Sequence, residues 1–288
     1  MATRHTGGGR RLLVTGASGY LGRALMAAAP AMGWEAHGTR FTARSGSAVL
    51  DVRDRDAVER LFDAVRPDAV IHTAYLLSGP SMRAVNVDGA AHVARASRRF
   101  GARLVHLSTD FVFDGRLARP YREDDPPAPL TAYGVSKLDG ERAVAHEDPP
   151  ALLVRTSLIY GGSAPGPQER MVADAMAGVS STAFFEDEIR SPIAAPDLAA
   201  GLLELAASDV TGVLHLAGPE AVSRLEFARV LAEAAGGDPG SLRSARSADL
   251  SPARPLDCSL DSSRAYVCIA TRVRGVREAL GLAAQAAL

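Results

Sequence analysis

The chain has 288 residues, 47% of them hydrophobic, which is enough for one large or two ordinary domains with a substantial buried core. Its 32 basic and 33 acidic residues are interspersed and leave a formal net charge of −1, so a nucleic acid or an anionic membrane surface is not expected as a partner. No apolar run approaches the roughly 18 residues needed to span a bilayer, and the N-terminus lacks the apolar core of a signal peptide. We expect a cytoplasmic protein that binds a small molecule.

Metal chemistry is also not expected. The two cysteines, Cys258 and Cys268, are too few for a disulfide framework and lack the spacing of zinc ligands. The seven histidines form no ligand cluster along the chain.

The first half of the chain alternates between two hydrophobic patterns. Short apolar runs predict strands at 11–15, 35–40, 48–52, 68–74, 102–108 and 151–157. Helical spacing predicts helices at 54–65, 83–100 and 131–146, the first with Asp54 as its N-cap. Strands separated by amphipathic helices indicate a parallel sheet covered on both faces, so the predicted fold is a Rossmann-type doubly wound α/β domain.

From about residue 161 the elements become shorter and less regular. A loop at 161–168 precedes a predicted helix at 196–207, a strand at 213–217 and a helix at 223–235. We expect an NAD(P)-binding domain over 10–160 and a smaller, mainly substrate-binding domain over 161–288. Residues of about 193–217 are expected to return to the first domain.

A glycine-rich turn follows the first predicted strand in "VTGASGYLGRAL". Glycines three residues apart permit a tight turn and close backbone approach, and the following helix offers free amides to a pyrophosphate. A purely structural turn could also contain such a triplet, but the position at the start of a βαβ unit favours dinucleotide binding. The residues expected to contact the cofactor here are Gly16, Ser18, Gly19, Tyr20, Leu21 and Gly22.

The end of the second strand indicates which dinucleotide is bound. It reads "GTRFTAR", with Arg40 and Arg44 and no acidic residue, and arginine there favours the 2′-phosphate of NADPH over NADH. Solvated surface arginines are the alternative, and NADH remains possible. Asp51, beside Val52, is expected to accept from the adenine amino group, although it could instead cap the next helix.

Tyr133 and Lys137 lie four residues apart in "AYGVSK" and therefore share one face of a predicted helix. A tyrosine hydroxyl can give a proton to a substrate oxygen, and a nearby cation would lower its pKa from about 10. Lys137 is the only lysine in the chain, and arginine would not replace its compact charge. Chance placement on an exposed helix is the alternative.

A third group is expected at the end of the strand "LVHLST". Ser108 and Thr109 fall at the carboxyl edge of the predicted sheet, where open α/β folds bind ligands. Either hydroxyl could orient a substrate carbonyl, and either could merely cap the turn.

Together these residues resemble an extended short-chain dehydrogenase/reductase. The chain is most similar to the dTDP-4-dehydrorhamnose reductase group, whose relatives include the regulatory β subunit of methionine adenosyltransferase. The most specific segments are "LSTDFVFDG", "YREDDPPAPLTAYGVSKLDGE" and "ARPLDCSLD".

The resemblance implies roles for individual residues. Thr109 would be the catalytic hydroxyl, Tyr133 the proton donor, and Lys137 its activator and a ligand of the cofactor ribose. Ala74 and Tyr75 would lie along the cofactor. Asn86 would support the site, with a residue that merely begins a helix as the alternative. The residues implied close to the substrate are Thr109, Asp110 and Phe111.

The substrate half departs from the pattern of the group. Leu158 stands where many members carry an aromatic residue, and "GSAPGPQER" replaces an asparagine-containing loop. Arg190 stands where a Gln-x-Gly-x-Pro-Thr motif is usual. We expect Arg190 and Arg170 to contact a substrate diphosphate, with surface roles as the alternative for each.

The resulting hypothesis is an NADPH-dependent reductase of a keto group on a deoxysugar nucleotide, with a dTDP-sugar as the expected substrate. A cofactor-binding regulatory subunit with little catalysis is the alternative from another class, and a reductase of a non-sugar ketone is a third. The oligomeric state stays open, with a homodimer as one option.

Overall fold

A seven-stranded parallel sheet forms the centre of the structure, a computed structural model that describes residues 9–42, 48–247 and 254–283. From one edge to the other its strands are β11 (Gly212–His215), β6 (Leu152–Thr156), β5 (Arg103–Thr109), β4 (Ala69–His72), β1 (Arg10–Thr15), β2 (Trp34–Arg40) and β3 (Ala48–Val49). The order of the strands reverses between β1 and β4, as in doubly wound folds. This confirms the predicted fold class.

Helices cover the sheet, and three small strand pairs lie beyond its carboxyl edge. The helices are α1 (Tyr20–Ala28), α2 (Arg55–Val65), α3 (Ala90–Phe100), α4 (Ala132–Glu147), α5 (Pro167–Met176), α6 (Ala195–Ala206), α7 (Arg224–Ala234), α8 (Ser263–Cys268) and α9 (Val276–Ala279). The strand pairs are β7 (Ile159–Tyr160) with β10 (Ile193–Ala194), β9 (Ile189–Arg190) with β12 (Val222–Ser223), and β8 (Phe184–Phe185) with β13 (Ser244–Ala245).

The two faces of the sheet have separate cores because successive strand residues point to opposite sides. On one face Leu12 and Ile71 pack with residues of α1 and α6. On the other face Leu13 and Val70 pack with residues of α2 and α3. Both faces are therefore closed, and the carboxyl edge of the sheet is left for a ligand.

Two elements of the structure differ from those predicted from the sequence. The strand predicted at 48–52 ends at Val49, because the chain turns where Asp54 N donates to Asp51 O. The helix predicted at 83–100 begins with a wide π-helical segment, Ala84–Gly89, before α3. Gly89 packs against Val52 there, where an added Cβ would lie 2.5 Å from Val52 Cγ2.

The second half contributes both to the sheet and to a separate core. β11 pairs with β6 in the main sheet, and α6 packs on α1. A further cluster lies outside the sheet and includes Tyr160, Phe184 and Phe227. The cleft between this cluster and the carboxyl edge of the sheet positions the site described next.

Candidate active site

The glycine turn between β1 and α1 has the close packing that its sequence predicts. Gly16 has a φ of +74°, and a Cβ there would lie 2.9 Å from Thr73 Oγ1. At Gly22 a Cβ would lie 2.3 Å from Gly16 O. The first amides of α1 have no intrahelical acceptor, so the turn presents donors at the carboxyl edge of the sheet.

A cavity of about 380 Å³ opens beside this turn. Most of the residues predicted to bind the cofactor line it: Gly16, Ser18, Gly19, Arg40, Asp51, Val52, Ala74 and Tyr75. Arg40 is half-buried at the end of β2. Arg44 lies outside the described residues.

Asp51 forms an ion pair with Arg53, a residue that was not singled out from the sequence. Arg53 donates from Nε to Asp51 Oδ1 at 2.9 Å and from Nη2 to Oδ2 at 2.6 Å, and these bonds lower the pKa of the Asp51 carboxyl. Arg53 also donates to Ser81 Oγ at 3.1 Å. The helix cap considered for Asp51 is made by Asp54, whose Oδ1 accepts from Ala57 N. Asp51 therefore lines the cavity as half of an ion pair.

Tyr20 and Leu21 send their side chains in different directions. Leu21 is buried, and its side chain packs in the core formed with α6. The Tyr20 side chain leaves the glycine turn, and its hydroxyl donates to Glu169 Oε1 in the second half of the chain.

A second cavity, of about 250 Å³, adjoins the first and shares Gly16, Gly19, Thr73 and Tyr75 with it. Thr109, Tyr133 and Lys137 all line this cavity, together with Asp110 and Phe111. β5 ends at Thr109, and α4 carries the other two residues. Thr131 caps α4 by accepting from Gly134 N at 3.0 Å.

Tyr133 lies between two aromatic rings. Its ring centroid is 6.0 Å from that of Tyr75 and 6.0 Å from that of Phe111. Burial raises the pKa of the Tyr133 hydroxyl well above its ordinary value, with the negative charge of Asp110 adding to the effect, whereas a hydrogen bond with Thr109 opposes it. The pKa expected from the sequence was a lowered one, whereas burial of the Tyr133 hydroxyl raises it.

Lys137 is almost completely buried, and its ammonium is fixed by the backbone. Nζ donates to Leu107 O at 2.6 Å and lies 6.0 Å from the centroid of the Tyr75 ring. Burial lowers the pKa of Lys137 to about 8, and Glu141 partly offsets this. Beneath it, the buried rings of His72 and His106 stack with centroids 5.2 Å apart.

The loop that carries Tyr75 is tied to α4 through Asn86. Its Oδ1 accepts from Leu76 N at 2.8 Å, and its Nδ2 donates to Leu76 O and Ser136 Oγ, both at 2.9 Å. Asn86 thus links the chain after β4 to the turn of α4 between Tyr133 and Lys137, as expected of a supporting residue.

Thr109 is oriented by its neighbour Asp110. Thr109 Oγ1 donates to Asp110 Oδ1 at 3.1 Å and accepts from Phe111 N at 3.2 Å, while Ser157 Oγ donates to Asp110 Oδ2 at 2.7 Å. Both hydroxyls considered from the sequence line the cavity, and Thr109 is the one held by these hydrogen bonds. Ser108 is buried beside it.

Arg190 occupies a different position from the one predicted. It is fully buried and donates from Nη1 to Leu256 O at 2.6 Å and from Nη2 to Pro255 O at 3.0 Å. Its Nε lies 3.8 Å from Asp110 Oδ2. The expectation of a diphosphate ligand is corrected here, because a guanidinium without exposed surface and bonded to backbone carbonyls supports Asp110 instead.

Arg190 continues a chain of alternating charges away from Thr109. Its Nη2 lies 3.7 Å from Glu188 Oε2, and Glu188 Oε1 accepts from Arg254 Nε at 2.6 Å. Arg254 is partly exposed and begins the "RPLD" segment. The buried charges therefore connect Thr109 to the surface of the second half.

Two further arginines of the second half, Arg170 and Arg224, do not line either cavity. Arg170 is exposed and donates to Pro165 O, away from the described cavities. Arg224, at the start of α7, was not singled out from the sequence. Within the described ranges no carboxylate lies within ion-pair distance of it, and its guanidinium contacts Met171 Sδ at 3.9 Å.

The described residues contain no group of His, Cys, Asp and Glu side chains arranged to hold a metal ion. Among them there is also no helix long and apolar enough to cross a membrane.

Comparisons with known proteins agree with the resemblance seen in the sequence. The RmlD substrate binding domain family matches residues 10–288. A dTDP-4-dehydrorhamnose reductase of Mycobacterium tuberculosis (strain ATCC 25618 / H37Rv) is 38% identical over 96% of this chain and 93% of its own length. Methionine adenosyltransferase 2 subunit beta of Pongo abelii is 31% identical over 88% of this chain and 81% of its own length.

Comparison with solved structures also finds similarity to a dTDP-4-dehydrorhamnose reductase. The crystal structure of a dTDP-4-dehydrorhamnose reductase from Bacillus anthracis in complex with NADP superposes with a TM-score of 0.84 at 25% identity, covering 95% of this chain and 98% of that one. With a family match over nearly its whole length, the chain belongs to the RmlD substrate binding domain family, within the dTDP-4-dehydrorhamnose reductase group.

Proposed function

We propose that the protein is an NADPH-dependent reductase of the keto group of a deoxysugar nucleotide, a dTDP-4-keto-6-deoxyhexose. The observation that carries the proposal is the single cavity in which Thr109, Tyr133 and Lys137 meet beside the glycine turn. The reductase relatives that align over nearly the whole chain support the same activity.

The residues around the glycine turn fit a dinucleotide. The tight packing at Gly16 and Gly22 leaves no room for larger side chains, and the start of α1 supplies amides for a pyrophosphate. Arg40 would hold the 2′-phosphate, which favours NADPH. When bound, NADPH supplies a hydride to the keto carbon.

The chain supplies the proton. Because burial raises the pKa of Tyr133, its hydroxyl stays protonated at neutral pH and can donate to the oxygen of a ketone as it is reduced. Lys137, whose Nζ donates to Leu107 O, carries a positive charge that would stabilise the phenolate as it forms. Thr109, held by Asp110 in the same cavity, would position the substrate oxygen beside the Tyr133 hydroxyl.

The second half would hold the nucleotide. Arg224 and the partly exposed Arg254 replace Arg190 as the arginines proposed to meet the diphosphate, because Arg190 has no exposed surface. Arg224 suits this role since no carboxylate of the described chain pairs with it.

The test is turnover with purified protein, NADPH and a panel of dTDP-4-keto sugars, followed by the loss of NADPH absorbance. Turnover of one sugar, and its loss by at least about a hundredfold in Tyr133→Phe, is expected because general acid catalysis contributes about that much. A Tyr266→Phe variant, which removes a hydroxyl bonded to Ala217 O outside the site, serves as the control. Undiminished turnover in Tyr133→Phe would refute the mechanism.

The similarity to methionine adenosyltransferase 2 subunit beta supports a second candidate, a cofactor-binding regulatory subunit. The two functions give different results in one experiment. NADPH binding without reduction of any ketone, together with copurification of a partner enzyme, would favour the regulatory role. If only a non-sugar ketone were reduced, the protein would be a reductase as proposed, but its substrate would belong to a different class.

A further inference from the structure

The Tyr20 side chain connects the glycine turn to residues 161–169, which comprise the loop after β7 and the first residues of α5 and which we call the 161–169 segment. Its hydroxyl donates to Glu169 Oε1 at 3.0 Å and accepts from Gly162 N at 2.8 Å. The contact joins residues that are 149 positions apart in the chain. Both hydrogen-bonding functions of the hydroxyl are thus used to hold this one segment.

Glu169 also accepts hydrogen bonds from two backbone amides of the 161–169 segment. Its Oε1 also accepts from Gly161 N at 2.6 Å, and its Oε2 accepts from Gly166 N at 3.0 Å. One carboxylate therefore fixes both ends of the 161–169 segment and the Tyr20 hydroxyl. Burial and the charge of Glu169 raise the pKa of Tyr20 to about 12, so this hydroxyl keeps its proton at neutral pH.

The Tyr20 ring fits against the segment because two of its residues are glycines. A Cβ at Gly162 would lie 2.9 Å from Tyr20 Cε2, and a Cβ at Gly166 would lie 2.5 Å from Tyr20 Cζ. Contacts this short do not occur in folded proteins, so larger residues would displace the ring or the segment. The glycines of the "GGSAPGPQE" sequence therefore leave the space that the Tyr20 ring occupies.

The same junction borders the catalytic cavity. Tyr20, Pro167 and Gln168 line it together with Tyr133 and Lys137. The backbone of Tyr20 begins α1, where the free amides would meet the cofactor pyrophosphate. One residue thus touches the cofactor turn through its backbone and the wall of the catalytic cavity through its side chain.

We propose that Tyr20 is a positioning residue that couples cofactor binding at the glycine turn to the placement of the 161–169 segment over the catalytic cavity. The proposal rests on the cofactor part of the proposed function and not on the identity of the ketone. Coupling between two sites is reciprocal, so a cofactor that fixes Tyr20 must also make the segment harder to open.

The test measures amide hydrogen exchange in a peptide covering 158–170, with and without NADP⁺. In the wild type, saturating NADP⁺ is expected to slow exchange of the Gly161, Gly162 and Gly166 amides by at least about fivefold, the lower range of measured couplings. In Tyr20→Phe, which keeps the ring and removes both hydroxyl bonds, the slowing is expected to fall below about twofold. The affinity for NADP⁺ is measured in parallel.

Two further variants make the result specific. Glu169→Gln should also uncouple the segment, since it weakens the acceptor of the Tyr20 hydroxyl. Tyr266→Phe, which loses a hydroxyl bond to Ala217 O elsewhere, should behave as the wild type. Equal slowing in the wild type and Tyr20→Phe, or loss of the slowing in Tyr266→Phe, would overturn the coupling. NADP⁺ binding without slowing in the wild type would overturn the coupling alone, whereas no binding would overturn the proposed function as well.

Discussion

Lys137 Nζ donates to Leu107 O at 2.6 Å, in a position where the side chain is almost fully buried. The ammonium is a compact charge at the end of a flexible stem, and the planar guanidinium of arginine cannot occupy the same space with the same donor direction. This explains why an arginine-rich chain keeps its single lysine at this position.

We therefore expect Lys137→Arg to lower kcat for the ketone by about a hundredfold or more, the range of a general acid–base contribution. The far-ultraviolet circular dichroism should stay that of the wild type. Lys137→Met, which removes the charge, should lower kcat comparably. Wild-type turnover in Lys137→Arg would mean that the geometry of the charge is irrelevant.

The lowered pKa of Lys137 predicts how the rate depends on pH. Lys137 is charged below its pKa of about 8 and neutral above it, so stabilisation of the Tyr133 phenolate is lost as the pH rises through about 8. We expect kcat to be constant near neutral pH and to fall on the alkaline side with a midpoint near 8. Steady-state rates measured with saturating NADPH and ketone check this, and a rate still constant above pH 9.5 would contradict it.

Asp110 holds the Thr109 hydroxyl at 3.1 Å and is itself held by Ser157 and Arg190. Asp110→Asn should misdirect Thr109 and lower kcat by about tenfold to a hundredfold, with little change in KM. It should also destabilise the protein by about 1 to 3 kcal/mol, because the buried Arg190 keeps Glu188 but loses Asp110 as a charged neighbour.

A matched control separates the two effects of Asp110→Asn. Asp197, which is buried and paired with Arg274 at 2.6 Å away from the cavities, can be changed in the same way. Asp197→Asn should lower the Tm without lowering kcat. If both variants lower kcat equally at a temperature where they are folded, Asp110 has only a structural role.

Arg40 gives a prediction about cofactor choice. Arg40→Ala should reduce the preference for NADPH over NADH, compared as kcat/KM, by about tenfold, the value of one charged hydrogen bond. The control is Arg142→Ala on the exposed surface of α4. An unchanged preference in Arg40→Ala would move the 2′-phosphate site to another residue, with Arg53 the next to test.

The parts of the fold and site that follow from short sequence spacings were predictable. Glycines three residues apart after an apolar run, and Tyr133 four residues before Lys137, depend only on local geometry. The wide turn at Ala84–Gly89 was not predictable in the same way. It depends on Asn86 bonding to two other segments and on Gly89 packing against Val52.

The positions of other site residues depend on contacts between segments that are far apart in the sequence. Nothing near Arg190 in the sequence indicates that its guanidinium bonds to the carbonyls of residues 255 and 256. The bond from Tyr20 to Glu169 is equally invisible in a local pattern. Arg53, by contrast, lies two residues from Asp51, and their opposite charges were a signal that could have been used.

The buried histidine pair beneath Lys137 predicts the response of the fold to acid. His72 Nδ1 and Thr15 Oγ1 share a hydrogen bond of 2.6 Å, and burial lowers the pKa of His72 to about 3. The unfolded chain takes up a proton below about pH 6.5, whereas the folded chain does not until about pH 3, so stability is lost as the pH falls between these values. At about pH 4.5 the loss from His72 amounts to roughly 2 to 3 kcal/mol.

His72→Gln keeps a polar partner for Thr15 and removes this proton uptake. Its Tm at neutral pH should be below that of the wild type, but the further fall in Tm on moving to about pH 4.5 should be smaller. His146→Gln, at an exposed position on α4, should show the full wild-type fall. A fall in Tm that is the same in all three proteins would exclude His72 as a source of the acid sensitivity and assign it to other groups, such as the stacked His106, whose pKa burial also lowers.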